Sequence, residues 1–129
     1  MRVLLSTFGS RGDVEPMIAL AAALQDLGAE AVVSAPPDQE FQDVADRAGV
    51  TLAPAFYPIR QWIADKARPS APEHFQALAA EVMTGQYAAI AAASEGCDVI
   101  VATGLFPSTA AARTVADHRG LSYAHASYC

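Results

Sequence analysis

The first sixteen residues, MRVLLSTFGSRGDVEP, constrain the fold of this chain more than any other segment. An apolar run at Val3–Leu5 ends in a turn of small residues, Gly9–Asp13, and helical spacing follows at once. A short buried strand that enters a helix through a glycine turn is typical of the first βα unit of a parallel sheet. In open sheets of this kind, ligands bind outside the carboxyl ends of the strands. The turn is therefore the first candidate for a functional site.

The remaining sequence continues this alternation of strands and helices. Short apolar runs predict strands at Arg2–Thr7, Ala31–Ala35, Val50–Ala53, Asp98–Ala102 and Leu121–Ser127. Apolar positions at helical spacing predict helices at Val14–Leu27, Asp38–Ala48, Pro72–Ser94 and Phe106–Arg119. Gly85 lies inside the third of these helices and weakens the prediction that it is unbroken. The order predicts an α/β fold with a doubly wound, mostly parallel, Rossmann-like sheet.

The segment Pro54–Pro72 interrupts the alternation after the third strand. It carries Phe56, Tyr57 and Trp62, and about two turns of helix are predicted near Ile59–Ala67. Long excursions from a compact domain are usually functional or disordered, and the aromatic residues favour a functional one. The alternative is that the rings close a small satellite core beneath the loop.

Composition limits the class of protein. At 129 residues the chain makes one domain at most, and its hydrophobic content of 53% is that of a globular core. The net charge of −6 argues against a nucleic-acid or anionic-membrane surface. Cys97 and Cys129 make no disulfide framework, and no apolar run reaches the length of a membrane span. We therefore expect a soluble cytoplasmic protein with neither nucleic acid nor membrane as a partner.

The Gly9–Asp13 turn does not match the common nucleotide-binding motifs. A dinucleotide site needs G-x-G-x-x-G and an acid at the end of the second strand. Here the glycines read G-S-R-G, and the second strand ends in Ser34-Ala35-Pro36-Pro37 without an acid. A P-loop would need G-K-[ST], which the chain lacks. Dinucleotide and P-loop chemistry are therefore disfavoured.

Asp13 has two interpretations that the residues alone leave open. It precedes the helical periodicity directly, and Asp is among the best residues for capping a helix N-terminus. A carboxylate at the ligand-binding edge of a sheet can also accept a proton from a substrate hydroxyl. The two roles compete in part, because a carboxylate that accepts backbone N–H bonds is a weaker base.

A resemblance to a known family bears on this choice. The stretch from Met1 to Pro37 resembles the opening of the two-Rossmann-domain (GT-B) glycosyltransferases. More narrowly, it resembles the bacterial glycosyltransferases that act on glycopeptide antibiotics. It also resembles the sterol glucosyltransferases, which are related to them. The matching strings are G-S-R-G-D-V-E-P, D-L-G-A, A-P-P and S-E-G-C-D-V-I-V-A-T-G-L-F. The resemblance as a whole covers essentially the whole chain.

The resemblance implies an inverting transfer of sugar from a nucleotide diphosphate to an acceptor hydroxyl. Asp13 would be the general base, with the Ser10 hydroxyl beside it, and Gly9, Arg11 and Gly12 would line the acceptor site. The co-substrate is a nucleotide-diphosphate sugar, and no metal or other cofactor is expected. Residues 1–129 would be an incomplete acceptor-binding domain, because such a domain normally continues past Cys129 for further strands, and the C-terminal nucleotide-sugar domain is absent. Such a fragment should be inactive alone.

Further acceptor contacts follow from the same resemblance. Phe56, Tyr57 and Trp62 suit a rigid, aromatic aglycone such as a natural product. Gly104 and Phe106 follow the fourth strand at the ligand-facing edge. His125, in the fifth strand, is either a core or edge histidine satisfied by a neighbour or a polar contact near the cleft.

A second function class remains open at this stage: a non-catalytic Rossmann-like module that binds a small ligand or a partner domain. A second Rossmann unit encoded after Cys129 would favour the enzyme. The acidic residues Asp38, Glu40, Asp43 and Asp46 predict an ordinary solvated helix face.

Overall fold

Strands and helices alternate along the chain in the computed structural model, which describes residues 1–66 and 72–128. The strands are β1 (Arg2–Ser6), β2 (Glu30–Ala35), β3 (Thr51–Pro54), β4 (Val99–Ala102) and β5 (Ser122–His125). The helices are α1 (Arg11–Asp26), α2 (Gln39–Ala48), α3 (Ile59–Lys66), α4 (Pro72–Ala93) and α5 (Phe106–Arg119). Residues 67–71, which end the predicted excursion, and Cys129 lie outside the described residues.

The five strands form one sheet in the order β3-β2-β1-β4-β5. Every pairing within it is parallel, so the predicted doubly wound α/β fold is confirmed. The chain runs from β1 outward to β3 and then crosses back to add β4 and β5 on the other side of β1. The connections after β1 and β4 therefore diverge, and a crevice at such a switch point is where open α/β sheets bind ligands.

Helices cover both faces of the sheet. Leu5 and Val33 point into a core shared with α1 and α2, whereas Leu4 and Ile100 point into a core shared with α4 and α5. All four side chains are fully buried. Burial on two faces explains why the strands read as continuous apolar runs rather than as alternating ones.

Helix α1 begins at Arg11, earlier than the predicted Val14. Ser10 is the N-cap residue, with extended backbone, and Asp13 is the third residue of the helix. The interpretation of Asp13 as the N-cap is therefore wrong. The spacing Ser-x-x-Asp is that of a capping box, in which the acid at the third position reaches back to the N-cap backbone.

Helix α4 continues without a break through Gly85. A Cβ on Gly85 would lie 2.0 Å from the Cδ2 atom of Phe56. The glycine therefore provides space for a ring from the excursion and does not interrupt the helix.

Asp38 does not lie on a solvated face as predicted. Its side chain is 7% exposed, and its carboxylate accepts hydrogen bonds from the start of α3. Glu40, Asp43 and Asp46 do lie at the surface, where they pair with Arg60, Gln39 and Gln42.

Cys97 is buried with a free thiol. Within residues 1–66 and 72–128, no helix combines the length and the apolar character that crossing a membrane requires.

Candidate functional site

The crevice at the switch point is bounded by the residues that follow β1 and β4. The N–H of Thr103 donates to the carbonyl of Ser6 at 3.0 Å, which continues the β1–β4 ladder past the end of β4. Gly104 then turns with a φ of +107°, where a Cβ would lie 3.8 Å from the carbonyl oxygen of Phe8. The Gly9–Asp13 turn thus stands opposite the connection into α5.

The carboxylate of Asp13 is held through one of its two oxygens. Oδ2 accepts the backbone N–H of Ser10 at 3.0 Å and the Ser10 hydroxyl at 3.4 Å. Oδ1 accepts no hydrogen bond from any residue that the structure describes, and the side chain is half-buried. Asp13 therefore stabilises the helix start through Oδ2, while Oδ1 is left to accept a proton or a ligand hydrogen bond.

Gly9 makes room for this carboxylate. A Cβ on Gly9 would lie 2.2 Å from Oδ2 of Asp13, a distance that real side chains do not tolerate. Gly12, on the opposite side of the turn, would bring its Cβ no closer than 4.0 Å to the Ser10 hydroxyl oxygen. Gly9 is thus required by the position of Asp13, and Gly12 is not.

Arg11 is directed away from the carboxylate. Its guanidinium pairs with Glu15 one turn further along α1, at 2.6 Å. Both side chains are largely exposed to solvent. The expected contact of Arg11 with an acceptor stays a prediction.

Tyr128 was not found from the sequence. Its hydroxyl donates to the backbone carbonyl of Asp13 at 2.6 Å, from a position 115 residues further along the chain. Burial raises the pKa of the Tyr128 phenol, a hydrogen bond with Thr103 lowers it, and the charge of Asp13 raises it further. No local pattern signals such a contact, because the two residues meet only after β5 has been placed beside β4.

The excursion brings its aromatic residues against Phe8, which the sequence analysis also missed. The ring centroids of Phe56 and Trp62 each lie 5.8 Å from that of Phe8, and Tyr57 lies 6.1 Å from Phe56. Phe56 and Trp62 are half-buried and pack against the α1–α2 core. The rings of Phe56 and Trp62 therefore extend the α1–α2 core and do not close a separate satellite core. Contact of the three aromatic residues with an acceptor stays a prediction.

The other side of the crevice is apolar and open. Leu105 is 81% exposed and Phe106 is 73% exposed, beside Gly104. His125 is the last residue of β5, next to Ala102 of β4. It is exposed and makes no side-chain hydrogen bond to a described residue, so it is not a core histidine. Acceptor contacts by Gly104, Phe106 and His125 stay predictions.

Sequence comparisons find glycosyltransferases that are similar over the whole of this chain. Glycosyltransferase GtfE of Amycolatopsis orientalis is 43% identical over 129 residues, all of this chain and 31% of GtfE. Vancomycin aglycone glucosyltransferase of the same organism is 40% identical, over all of this chain and 31% of that protein. The chain is a homologue of the glycopeptide antibiotic glycosyltransferases. It spans about 31% of the length of these relatives, and no family model matches it.

Solved structures agree on the fold of this glycosyltransferase homologue. The Streptomyces sp. SF2575 glycosyltransferase SsfS6 superimposes with a TM-score of 0.72 and 21% identity, over 97% of this chain and 38% of SsfS6. The UDP-GlcNAc 2-epimerase of Neisseria meningitidis superimposes with a TM-score of 0.63 and 19% identity, over 97% of this chain and 31% of that chain. Because two chemistries share this fold, the fold does not choose between them.

Two cavities on the helical faces of this chain are separate from the crevice. One, of about 310 Å³, lies between α4 and α5 against Met83, Tyr87 and Thr114. Another, of about 150 Å³, lies between α1 and α2 against Glu15, Glu40 and Arg47. Neither is lined by Asp13.

Proposed function

We propose that this chain is the acceptor-binding part of an inverting, nucleotide-sugar-dependent glycosyltransferase, with Asp13 as the general base. One observation carries the proposal. The Asp13 carboxylate lies at the switch point, oriented through Oδ2 and unbonded at Oδ1, in a chain 43% identical to a glycosyltransferase over its whole length. Such a carboxylate can remove the proton from an acceptor hydroxyl.

The reaction would balance as follows. The acceptor oxygen forms a bond to the anomeric carbon while its proton passes to Oδ1 of Asp13. The bond between that carbon and the diphosphate breaks, and the nucleotide diphosphate leaves with the electron pair. Attack opposite the leaving group inverts the anomeric centre. The hydrogen bonds from Ser10 to Oδ2 fix the orientation of the base, which is a form of pre-organisation.

The surface around the crevice suits a large acceptor with aromatic groups. The exposed side chains of Leu105 and Phe106 form an apolar side next to the base. Aromatic and aliphatic surfaces with few polar groups are typical of sites for such ligands. The name of one relative, vancomycin aglycone glucosyltransferase, gives a first acceptor to test. The nucleotide sugar would be bound mainly by a domain outside these 129 residues.

Two substitutions at Asp13 in the full-length protein separate the base from the cap. Asp13→Asn keeps an oxygen that can accept the Ser10 N–H but removes the base. We expect kcat to fall by about 10²–10⁴ in this variant, with little change in thermal stability. Asp13→Ala removes both functions. The assay uses vancomycin aglycone with a panel of dTDP- and UDP-sugars and detects the product by mass.

Asp43→Asn serves as the control, because Asp43 is an exposed acid that pairs with Gln39 of its own helix. Activity of Asp13→Asn within about threefold of the wild type would reduce Asp13 to a cap. A wild-type protein that binds the aglycone and transfers no sugar would favour the non-catalytic binding module instead.

A further inference from the structure

The carboxylate of Asp38 caps a helix other than its own. Asp38 is the N-cap residue of α2 by its backbone, but its side chain makes no capping bond to α2. Instead Oδ2 accepts the N–H of Ile59 at 2.6 Å, and Oδ1 accepts the N–H of Arg60 at 3.2 Å. These are the first two residues of α3. Asp38 therefore joins the start of α2 to the start of α3.

The contact supplies hydrogen-bond acceptors to the first N–H groups of α3. The first N–H groups of a helix lack partners within the helix and require an acceptor from elsewhere. Helix α3 has no acidic residue in its first turn. The buried carboxylate of Asp38, 7% exposed, supplies two charge-assisted hydrogen bonds to these groups. Such bonds are roughly twice as strong as neutral ones.

A second contact between the two helices lies at the surface. The guanidinium of Arg60 donates to both carboxylate oxygens of Glu40, at 3.0 and 3.1 Å. The hydrogen bond from Arg60 lowers the pKa of Glu40 below its ordinary value. Because exposed ion pairs contribute little to protein stability, the Arg60–Glu40 pair stabilises α3 less than the buried contact of Asp38 does. The pair helps to orient α3.

The anchored segment leads to the turn that holds Asp13. Trp62 lies in the first turn of α3, where its backbone N–H donates to the carbonyl of Pro58 at 2.9 Å. Its ring and that of Phe8 are nearly perpendicular, with centroids 5.8 Å apart, and Phe8 directly precedes Gly9. Contacts thus run from Asp38 through α3 and Trp62 to Phe8 at the crevice.

We propose that Asp38 is a positioning residue for the acceptor: it fixes α3, and with it Phe56 and Trp62, beside the crevice. This inference rests on the proposed function, because it gives those rings a place in acceptor binding. Asp38 itself touches neither the crevice nor the reacting atoms. Its removal should therefore change the binding of the acceptor more than the rate of chemistry.

The test uses the full-length protein with Asp38→Ala, Asp38→Asn and the control Asp43→Ala, in which an exposed acid of the same helix is removed. Hydrogen exchange of peptides covering residues 56–64 reports the anchor. We expect these amides to exchange at least about tenfold faster in Asp38→Ala than in the control. With vancomycin aglycone, KM should rise about tenfold while kcat stays within about threefold. Asp38→Asn retains one acceptor oxygen. Its exchange rate and its KM should therefore lie between those of Asp38→Ala and those of the Asp43→Ala control.

Each outcome decides a separate point. If the amides of α3 exchange no faster in the Asp38 variants than in Asp43→Ala, the anchor is overturned. If they exchange faster and the KM for the aglycone stays at the value of the control, the positioning role is overturned. A wild-type protein that transfers no sugar overturns the proposed function, and the exchange measurement still decides the anchor.

Discussion

Gly9 and Gly12 differ in whether the turn that carries Asp13 leaves space for a Cβ atom. Neither glycine has a positive φ, so another residue could adopt either backbone. The difference between them is the space that a Cβ would find: 2.2 Å from Asp13 Oδ2 at Gly9 and 4.0 Å from the nearest atom at Gly12. The sequence shows two glycines, and only the structure shows which one is constrained by its surroundings.

Alanine substitutions at these two positions should therefore have opposite effects on stability. Gly9→Ala displaces the Asp13 carboxylate from Ser10, which should cost about 1 kcal/mol, the usual value of a lost cap. Gly12→Ala lies in the first turn of α1 and should stabilise the protein by about 0.5–1 kcal/mol through helix propensity. Equilibrium unfolding in urea measures both changes.

The kinetic effect of Gly9→Ala follows from the same displacement. If Asp13 is the base, moving its carboxylate by about 1 Å should lower kcat about 10²-fold. Wild-type kcat in Gly9→Ala, together with a crystal structure showing the displaced carboxylate, would contradict the role of Asp13.

At the scale of elements, the ring of Phe56 packs the excursion against α4. Phe56 has a φ of 62°, a conformation that costs a residue with a Cβ about 1–2 kcal/mol. This backbone directs the ring into the gap at Gly85 and against Phe8. Burial of the ring offsets the backbone cost, so the glycine in α4 and the strained residue before α3 depend on each other.

A double-mutant cycle tests that dependence. Gly85→Ala gains about 1 kcal/mol of helix propensity but must displace the Phe56 ring, which costs about 1–3 kcal/mol. We expect the single substitution to be destabilising. In a Phe56→Ala background the clash is absent, and the same substitution should become stabilising by about 0.5–1 kcal/mol. Thermal unfolding measures both, and an unchanged sign in the two backgrounds would refute the packing role of Gly85.

The elements that the sequence predicts well are those with local signals. Helix α5 has the predicted bounds, because Pro107 lies in its first turn and the left-handed Gly120 ends it. The predicted start of α1 is wrong because both Ser10 and Asp13 are residue types that cap helices. In the structure Ser10 is the N-cap and Asp13 is the acid of the capping box. The prediction that Asp38 is solvated is wrong for a different reason. Its hydrogen-bond partners are 21 and 22 residues away in the sequence, so no local pattern indicates them.

The candidate site shows the same division. The placement of Ser10 and Asp13 in the turn after β1 could be predicted because one short motif carries both, and their catalytic roles stay predictions. Phe8 and Tyr128 could not, because an aromatic residue in an apolar segment reads as ordinary core until the sheet order is known. Their roles depend on the crossover that places β4 beside β1.

At the scale of the whole molecule, the parallel sheet brings the turns of the candidate site together at one edge. The connections after β1 and β4 lie at the carboxyl edge, whereas the left-handed glycines Gly28, Gly49 and Gly120 join helices to strands at the opposite edge. A ligand at the switch point should therefore protect two segments that are distant in sequence and leave the opposite edge unchanged.

Hydrogen exchange in the full-length protein measures this pattern. With vancomycin aglycone at ten times its Kd, we expect exchange within residues 9–13 and 103–106 to slow by about tenfold. Peptides containing Gly28, Gly49 or Gly120 serve as internal controls and should not change. Protection confined to the opposite edge would place the acceptor elsewhere on the domain.

The hydrogen bond from Tyr128 to the carbonyl of Asp13 has a consequence for the order of folding. It joins residues 115 positions apart, so it contributes a contact of very high sequence separation. During synthesis from the amino terminus, β1, α1 and β2 emerge long before β5. Until β5 pairs with β4, the first turn of α1 lacks this donor. The turn that carries Asp13 is thus begun first and completed last.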